Sequence, residues 1–294
     1  MLNQLALFFL VLFISQSCGT KEHTLESVKG FKDFTPLESI RLNYGNDSLQ
    51  FGDLRLPQGE DKAPVIMIIH GGCWLSQYDL SLMDSMAHDL SAKGYATWNI
   101  EYRRTEDPGG AWPGTFTDVA NALKYLSSIA ENYPIDINQV YLTGHSAGGH
   151  LALWLGAQGQ LNEESELKVQ NLPKIQGILS LAGITDLQTY YSPSGCGNNV
   201  KNLIGGIPDE LRDRYEEASP ISYLPLNIPQ ILVNGDKDFI VPIEHIQPYY
   251  EKAKFKGDSI QLLRIPSAGH FEVITPGSTA WTAIINAFEE LIHE

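Results

Sequence analysis

"VYLTGHSAGGHLALWLGA", residues 140–157, decides how the rest of the chain is read. Val140 to Leu142 has the apolar character of a strand buried on both faces. Leu151 to Leu155 forms the buried side of a helix. Between them, Gly144-His145-Ser146-Ala147-Gly148 fits G-x-S-x-G, the sharp strand-to-helix turn that lifts a serine oxygen above a sheet. Glycine is needed there for steric reasons. The serine backbone is strained, and side chains at the flanking positions would strike neighbouring elements. The helix behind the serine offers free N–H groups and the positive end of its dipole. A helix-capping serine with glycines for packing would use the same letters, so the partners of Ser146 must decide.

Strands and helices alternate on either side of this turn. "SIRLNYG" and "LQFGDLRL" read as paired strands joined by a turn at Gly45-Asn46-Asp47. "APVIMIIHGG" is a continuous apolar run ending in glycines, as in a buried parallel strand. A helical stretch over Leu80 to Lys93 leads to the strand "YATWNIEYR". In "FTDVANALKYLSSIAENY", Val119, Leu123, Leu126 and Ala130 fall on one helical face. "IQGILSLAG", "IPQILVNGD" and "SIQLLRIP" are further strands. Helices near Pro242 to Lys254 and Thr279 to His293 separate or close them. The pattern predicts an α/β domain with a mostly parallel central sheet and helices on both faces. Residues 186–224, rich in Tyr, Gly, Asn and Pro, break the rhythm and read as an irregular, cap-like segment.

A serine at neutral pH is a weak nucleophile and needs a base. His145 points away across the tight turn, and His150 lies one turn along the next helix in a structural position. "LLRIPSAGHFEV" places His270 in a loop just after a strand, where it can reach over the sheet edge. "ILVNGDKDFIVP" offers Asp236 and Asp238 as the acid that holds the base in one tautomer. Asp238 is the expected partner; Asp236 completes or caps the turn. In "IIHGGCW", glycines let backbone N–H groups face a site, so those of Gly72 and Cys73, with Ala147, are candidate donors to a developing oxyanion. His70 is expected to brace that loop. Cys73 lacks the elbow turn of a nucleophile. Trp74, Tyr102, Tyr190, Tyr191 and Phe271 are candidates for pocket walls or for core packing.

These four segments resemble the α/β-hydrolase superfamily, in which the triad residues follow in the order Ser, Asp, His. The resemblance covers residues 36–294. More narrowly, "HGGCW" and "GHSAGGHLA" are similar to the kynurenine formamidase and bacterial feruloyl/acetylxylan esterase group, whose signature is H-G-G-x-W. Hormone-sensitive-lipase-like esterases usually carry a third glycine where this chain has Cys73. The resemblance implies Ser146 as nucleophile, His270 as base, Asp238 as acid, and N–H donors at Gly72, Cys73 and Ala147. It calls for no metal and no cofactor. The implied substrate is a small-molecule ester or an acylated carbohydrate, with an N-formyl amide as the competitor. A non-catalytic binding protein on the same scaffold would commonly lose a triad member, and all three candidates are present.

Composition bounds the remaining possibilities. With 294 residues, 43% of them hydrophobic, the chain can build a sizeable core. Its formal net charge of -15 lacks the basic footprint of a nucleic-acid binder. Leu5 to Ile14 is an unbroken apolar run, too short to span a membrane and suited to a signal peptide over 1–17. Cys18-Gly19 resembles the lipidated cysteine of bacterial lipoproteins, so export to the periplasm or outer surface with a lipid anchor is expected. Residues 18–35 read as a polar tether. An oxidising compartment would let Cys73 and Cys196 pair, although their spacing does not show that they approach each other.

Overall fold

The computed structural model describes Thr24, Leu25, Val28 and residues 38–59, 61–193 and 195–293. The expected signal peptide, the lipid site at Cys18 and most of the tether lie outside the described residues. Within the tether stretch, Val28 is buried and Leu25 packs against the same apolar cluster. The polar reading of 18–35 is corrected at these two residues, whose three-residue spacing puts both on one helical face.

The strands are β1 (Ile40–Asn43), β2 (Phe51–Arg55), β3 (Ala63–Ile69), β4 (Ala96–Ile100), β5 (Ile135–His145), β6 (Ile175–Leu181), β7 (Gln230–Gly235) and β8 (Ile260–Ile265). They form one sheet in the order β1-β2-β4-β3-β5-β6-β7-β8. β1, β2 and β4 pair antiparallel, and every pairing from β4 to β8 is parallel. This is the architecture of the α/β-hydrolase fold.

The helices are α1 (Asp84–Ala92), α2 (Ala111–Asn132), α3 (Ala147–Gly156), α4 (Leu187–Tyr190), α5 (Val200–Ile204), α6 (Arg212–Ala218), α7 (Ile243–Phe255) and α8 (Trp281–His293). Alternate residues of β3 feed two cores. Val65, Met67 and Ile69 join the cluster under α2, α3 and α7, whereas Ile66 and Ile68 join the one under α1 and α8. That is the period-two pattern of a strand covered on both faces. On α2, Val119, Leu123 and Leu126 are buried as their spacing predicts, and Ala130 is partly buried.

The segment 186–224 is more regular than its composition suggests. It contains α4, α5 and α6, with 3-10 turns at Cys196–Asn199 and Pro220–Tyr223. Val200, Leu203, Ile204, Tyr215 and Ala218 are buried in the larger core. None of these helices is long enough to display a 3.6-residue period, which hides them from pattern reading.

Candidate active site

β3, β5, β7 and β8 run parallel, so the loops that leave their C-terminal ends meet at one rim, where ligands bind in open α/β sheets. Ser146 leaves β5 with φ 55 and ψ -117. That left-handed backbone is unfavourable for a serine and persists only because its surroundings fix it. Its N–H donates to the Leu181 carbonyl at 2.9 Å, and its carbonyl accepts from the His150 N–H at 3.0 Å. A Cβ on Gly144 would lie 2.3 Å from the Gly148 oxygen, and one on Gly148 2.1 Å from the Ile69 oxygen. The elbow closes only because both positions are glycine.

Asp238 follows β7, and its side chain is fully buried. Its Oδ1 accepts from the N–H groups of Ile240 and Val241, both at 2.9 Å. Its Oδ2 accepts from His270 Nδ1 at 2.7 Å. Asp236, two residues earlier, turns to the surface and pairs with Arg264 at 2.8 Å. The two carboxylates are thus separated as the sequence implies, with Asp238 on the histidine.

His145, directly before Ser146, fastens the His270 loop to the elbow. Its Nε2 donates to the His270 carbonyl at 2.9 Å, and the two rings lie 4.4 Å apart between centroids. Burial, then the neighbouring His270, holds His145 well below the ordinary imidazole value, so the ring stays neutral. His150 donates through Nε2 to the Ala218 carbonyl at 2.8 Å, and burial pushes it down to about 4. Both serve structure rather than proton transfer.

The loop after β3 completes the rim. Gly72, Cys73 and Trp74 have successive φ values of 107, 54 and 57. Among the described residues, no protein acceptor takes up the N–H groups of Gly72, Cys73 or Ala147. A Cβ on Gly71 would sit 3.2 Å from the Ser146 Cβ, which measures how closely the loop meets the elbow.

His70 braces this loop as expected, within a buried network whose other members were not read from the sequence. His70 meets the Gly71 carbonyl through Nδ1 at 2.8 Å and donates to Glu101 through Nε2 at 3.0 Å. Glu101 also accepts from the Tyr102 and Leu80 N–H groups and from Arg104 at 2.6 Å. Burial alone would push the Glu101 carboxyl up; His70 and Arg104 outweigh it and hold it below the usual carboxylate range. Charged residues directly after the buried strand β4, in "IEYRR", were the available signal.

The proposed pocket walls divide. Tyr102 and Trp74 are fully buried, which corrects their reading as wall residues. Tyr102 donates its hydroxyl to the His70 carbonyl at 3.0 Å and stacks on His70. Trp74 packs edge-on to His150. Both support the loop from beneath, where large flat side chains fill the gap between strand ends and loop. Phe271 packs half-buried on the His270 and His145 rings. Tyr191 packs on Tyr215. Tyr190 lines a pocket of about 260 Å³ together with Ser192, Gly195, Cys196, Gly197, Phe239 and Ile240. Cys73 and Cys196 are joined by a disulfide with their Cα atoms 5.3 Å apart. The sequence named the two as able to pair; their separation of 123 residues left their approach undetermined.

The family model BD-FAE matches residues 53–252, a span that includes Ser146 and Asp238. The esterase LipC of Mycobacterium tuberculosis is 27% identical over 264 residues, covering 86% of this chain and 65% of LipC. The chain therefore spans just under two thirds of that relative. Among solved structures, a truncated carbohydrate esterase from gut microbiota superposes with a TM-score of 0.75 at 23% identity, covering 87% of this chain and 97% of that one. Esterase B from Lactobacillus rhamnosis superposes at 0.76 with 20% identity, covering 91% and 90%. Both share the fold.

Proposed function

The chain belongs to the BD-FAE family of hydrolases, and on that premise we propose that it cleaves small carboxylic esters through an acyl-enzyme. The observation that carries this reading is the His270–Asp238 hydrogen bond of 2.7 Å, with the His270 loop tied to the elbow by His145, the residue before Ser146. In this reading the Ser146 oxygen adds to the ester carbonyl carbon while His270 Nε2 takes its proton. The carbonyl oxygen gains charge and is held by the N–H groups of Gly72, Cys73 and Ala147. The bond to the leaving alcohol breaks, and His270 returns the proton to that alcohol. Water then repeats the sequence on the acyl group, releasing the acid and freeing Ser146. Asp238 keeps the Nδ1 proton in place and stabilises the imidazolium.

The acyl group is of acetyl or feruloyl type, carried on a carbohydrate. The H-G-G-x-W and G-x-S-x-G segments support that choice through the group they resemble. Export with a lipid anchor at Cys18 is part of the same reading. The pairing of Cys73 with Cys196 favours an oxidising compartment.

Ser146→Ala is expected to lower kcat by about 10⁶ on acetyl or feruloyl esters. A variant that keeps wild-type turnover would remove Ser146 from the mechanism. Faster turnover of N-formylkynurenine than of either ester would shift the substrate to a formamide.

A further inference from the structure

We infer that Tyr190, Cys196 and Gly197 act as a clasp that sets the position of the oxyanion loop against the acid loop, with the Cys73–Cys196 disulfide as its covalent end. The inference rests on the reading of the Cys73 N–H as an oxyanion donor. Cys73 is bonded through sulfur to Cys196. The next residue, Gly197, presses on the chain at Tyr190: a Cβ there would lie 2.5 Å from the Tyr190 oxygen. The Tyr190 hydroxyl donates to the Ile240 carbonyl at 2.9 Å. The Ile240 N–H donates to Asp238 Oδ1 at 2.9 Å. One covalent bond, one backbone contact and two hydrogen bonds therefore run from the oxyanion side of the rim to the acid side. Burial, then the charge of Asp238, raises the Tyr190 hydroxyl above its ordinary value, which keeps it a donor.

Cys73 itself sits in the left-handed region at φ 54, between two other residues with positive φ. Such a bend relaxes unless its neighbours restrain it. Freed from Cys196, the loop keeps its N–H groups but loses their aim. A misplacement of about 1 Å costs on the order of 100-fold in rate. The donors act on charge that develops in the transition state, so the loss falls on kcat rather than KM. The disulfide and Tyr190 are thus positioning groups, acting through the loops they hold.

The test is steady-state hydrolysis of p-nitrophenyl acetate by the full chain before and after reduction with a phosphine. The folded fraction is followed by tryptophan fluorescence and circular dichroism, and reoxidation completes the cycle. Cys196→Ser is measured alongside. The expected result is a 10- to 100-fold fall in kcat per folded molecule with KM nearly unchanged, recovered on reoxidation and reproduced by Cys196→Ser. Tyr190→Phe is expected to give a smaller fall of the same kind. Unchanged kcat, or a fall that only tracks the unfolded fraction, would overturn the clasp. If Ser146→Ala is inactive and reduction has no effect, the clasp alone fails. If Ser146→Ala is active, the proposed function fails first.

Discussion

Asp238 and Cys73, the acid and an oxyanion donor of the proposed mechanism, sit at the same rim and are held there by different means. Asp238 is fixed mostly by its own loop. Two N–H groups within three residues of it take Oδ1, leaving Oδ2 for His270. Cys73 has less of its own: a Leu75 N–H to Gly72 carbonyl bond of 3.0 Å closes the turn around it. Its loop rests on a His70–Glu101–Arg104 network from the end of β4, on Tyr102 beneath, and on a disulfide to a residue 123 positions away. The acid loop carries its geometry in a short stretch of chain. The oxyanion loop takes much of its geometry from two distant segments, 101–104 and Cys196.

The largest effect that can break this contrast is at the acid. Asp238→Asn keeps the shape but leaves His270 in the wrong tautomer, and a fall of about 10⁴ in kcat is expected. Asp236→Asn removes a half-exposed pair with Arg264 and is expected to stay within a factor of about three. Kinetics of the two single variants decide the point, and the reverse ranking would exchange their roles.

The histidines that hold the two regions should show themselves in stability. His145 ties the base loop to the elbow, and His150 and His245 hold the segment 186–224 and its surroundings. Burial pushes His150 and His245 down to about 4, and His145 well below its ordinary value of 6.5. The unfolded chain therefore binds more protons once the pH drops below about 6.5. Stability is complete above that value and is lost as the pH falls toward 4. His150 and His245 are each expected to cost on the order of 2 kcal/mol by pH 5. Urea unfolding at pH 7 and pH 5 measures the sum. A flat profile over this window would mean that the three rings are not buried neutral.

A smaller effect sharpens the oxyanion side. Glu101→Gln removes the charge shared by His70 and Arg104, both almost fully buried. Breaking such a pair is expected to cost about 3 kcal/mol of stability. On the remaining folded protein, a roughly tenfold fall in kcat with unchanged KM is expected from the loosened loop. A loss of stability with full kcat would confine Glu101 to the scaffold.

The same division explains what the sequence revealed. The elbow, the parallel strands and the Asp238 loop were legible because each is written in a few adjacent residues. Apolar runs marked β3, β5 and β7, and G-x-S-x-G marked the turn. Gly235, Asp238 and the apolar run to Val241 marked the carboxylate that meets His270. The oxyanion network was not legible, because Glu101 and Arg104 acquire their meaning only when β4 pairs beside β3. Trp74 and Tyr102 stayed open between pocket wall and core packing for the same reason: nothing local says whether an aromatic ring at a strand end faces outward or sits under a loop. The short helices between Leu187 and Ala218 fell below the length at which periodicity speaks.

The account stands or falls on Ser146 being an activated hydroxyl beside His270. Treatment of the full chain with a fluorophosphonate, followed by peptide mass mapping, tests this most directly. A single adduct on Ser146 is predicted, formed orders of magnitude more slowly in His270→Ala. An adduct on another residue, or labelling of Ser146 at an undiminished rate in His270→Ala, would contradict it.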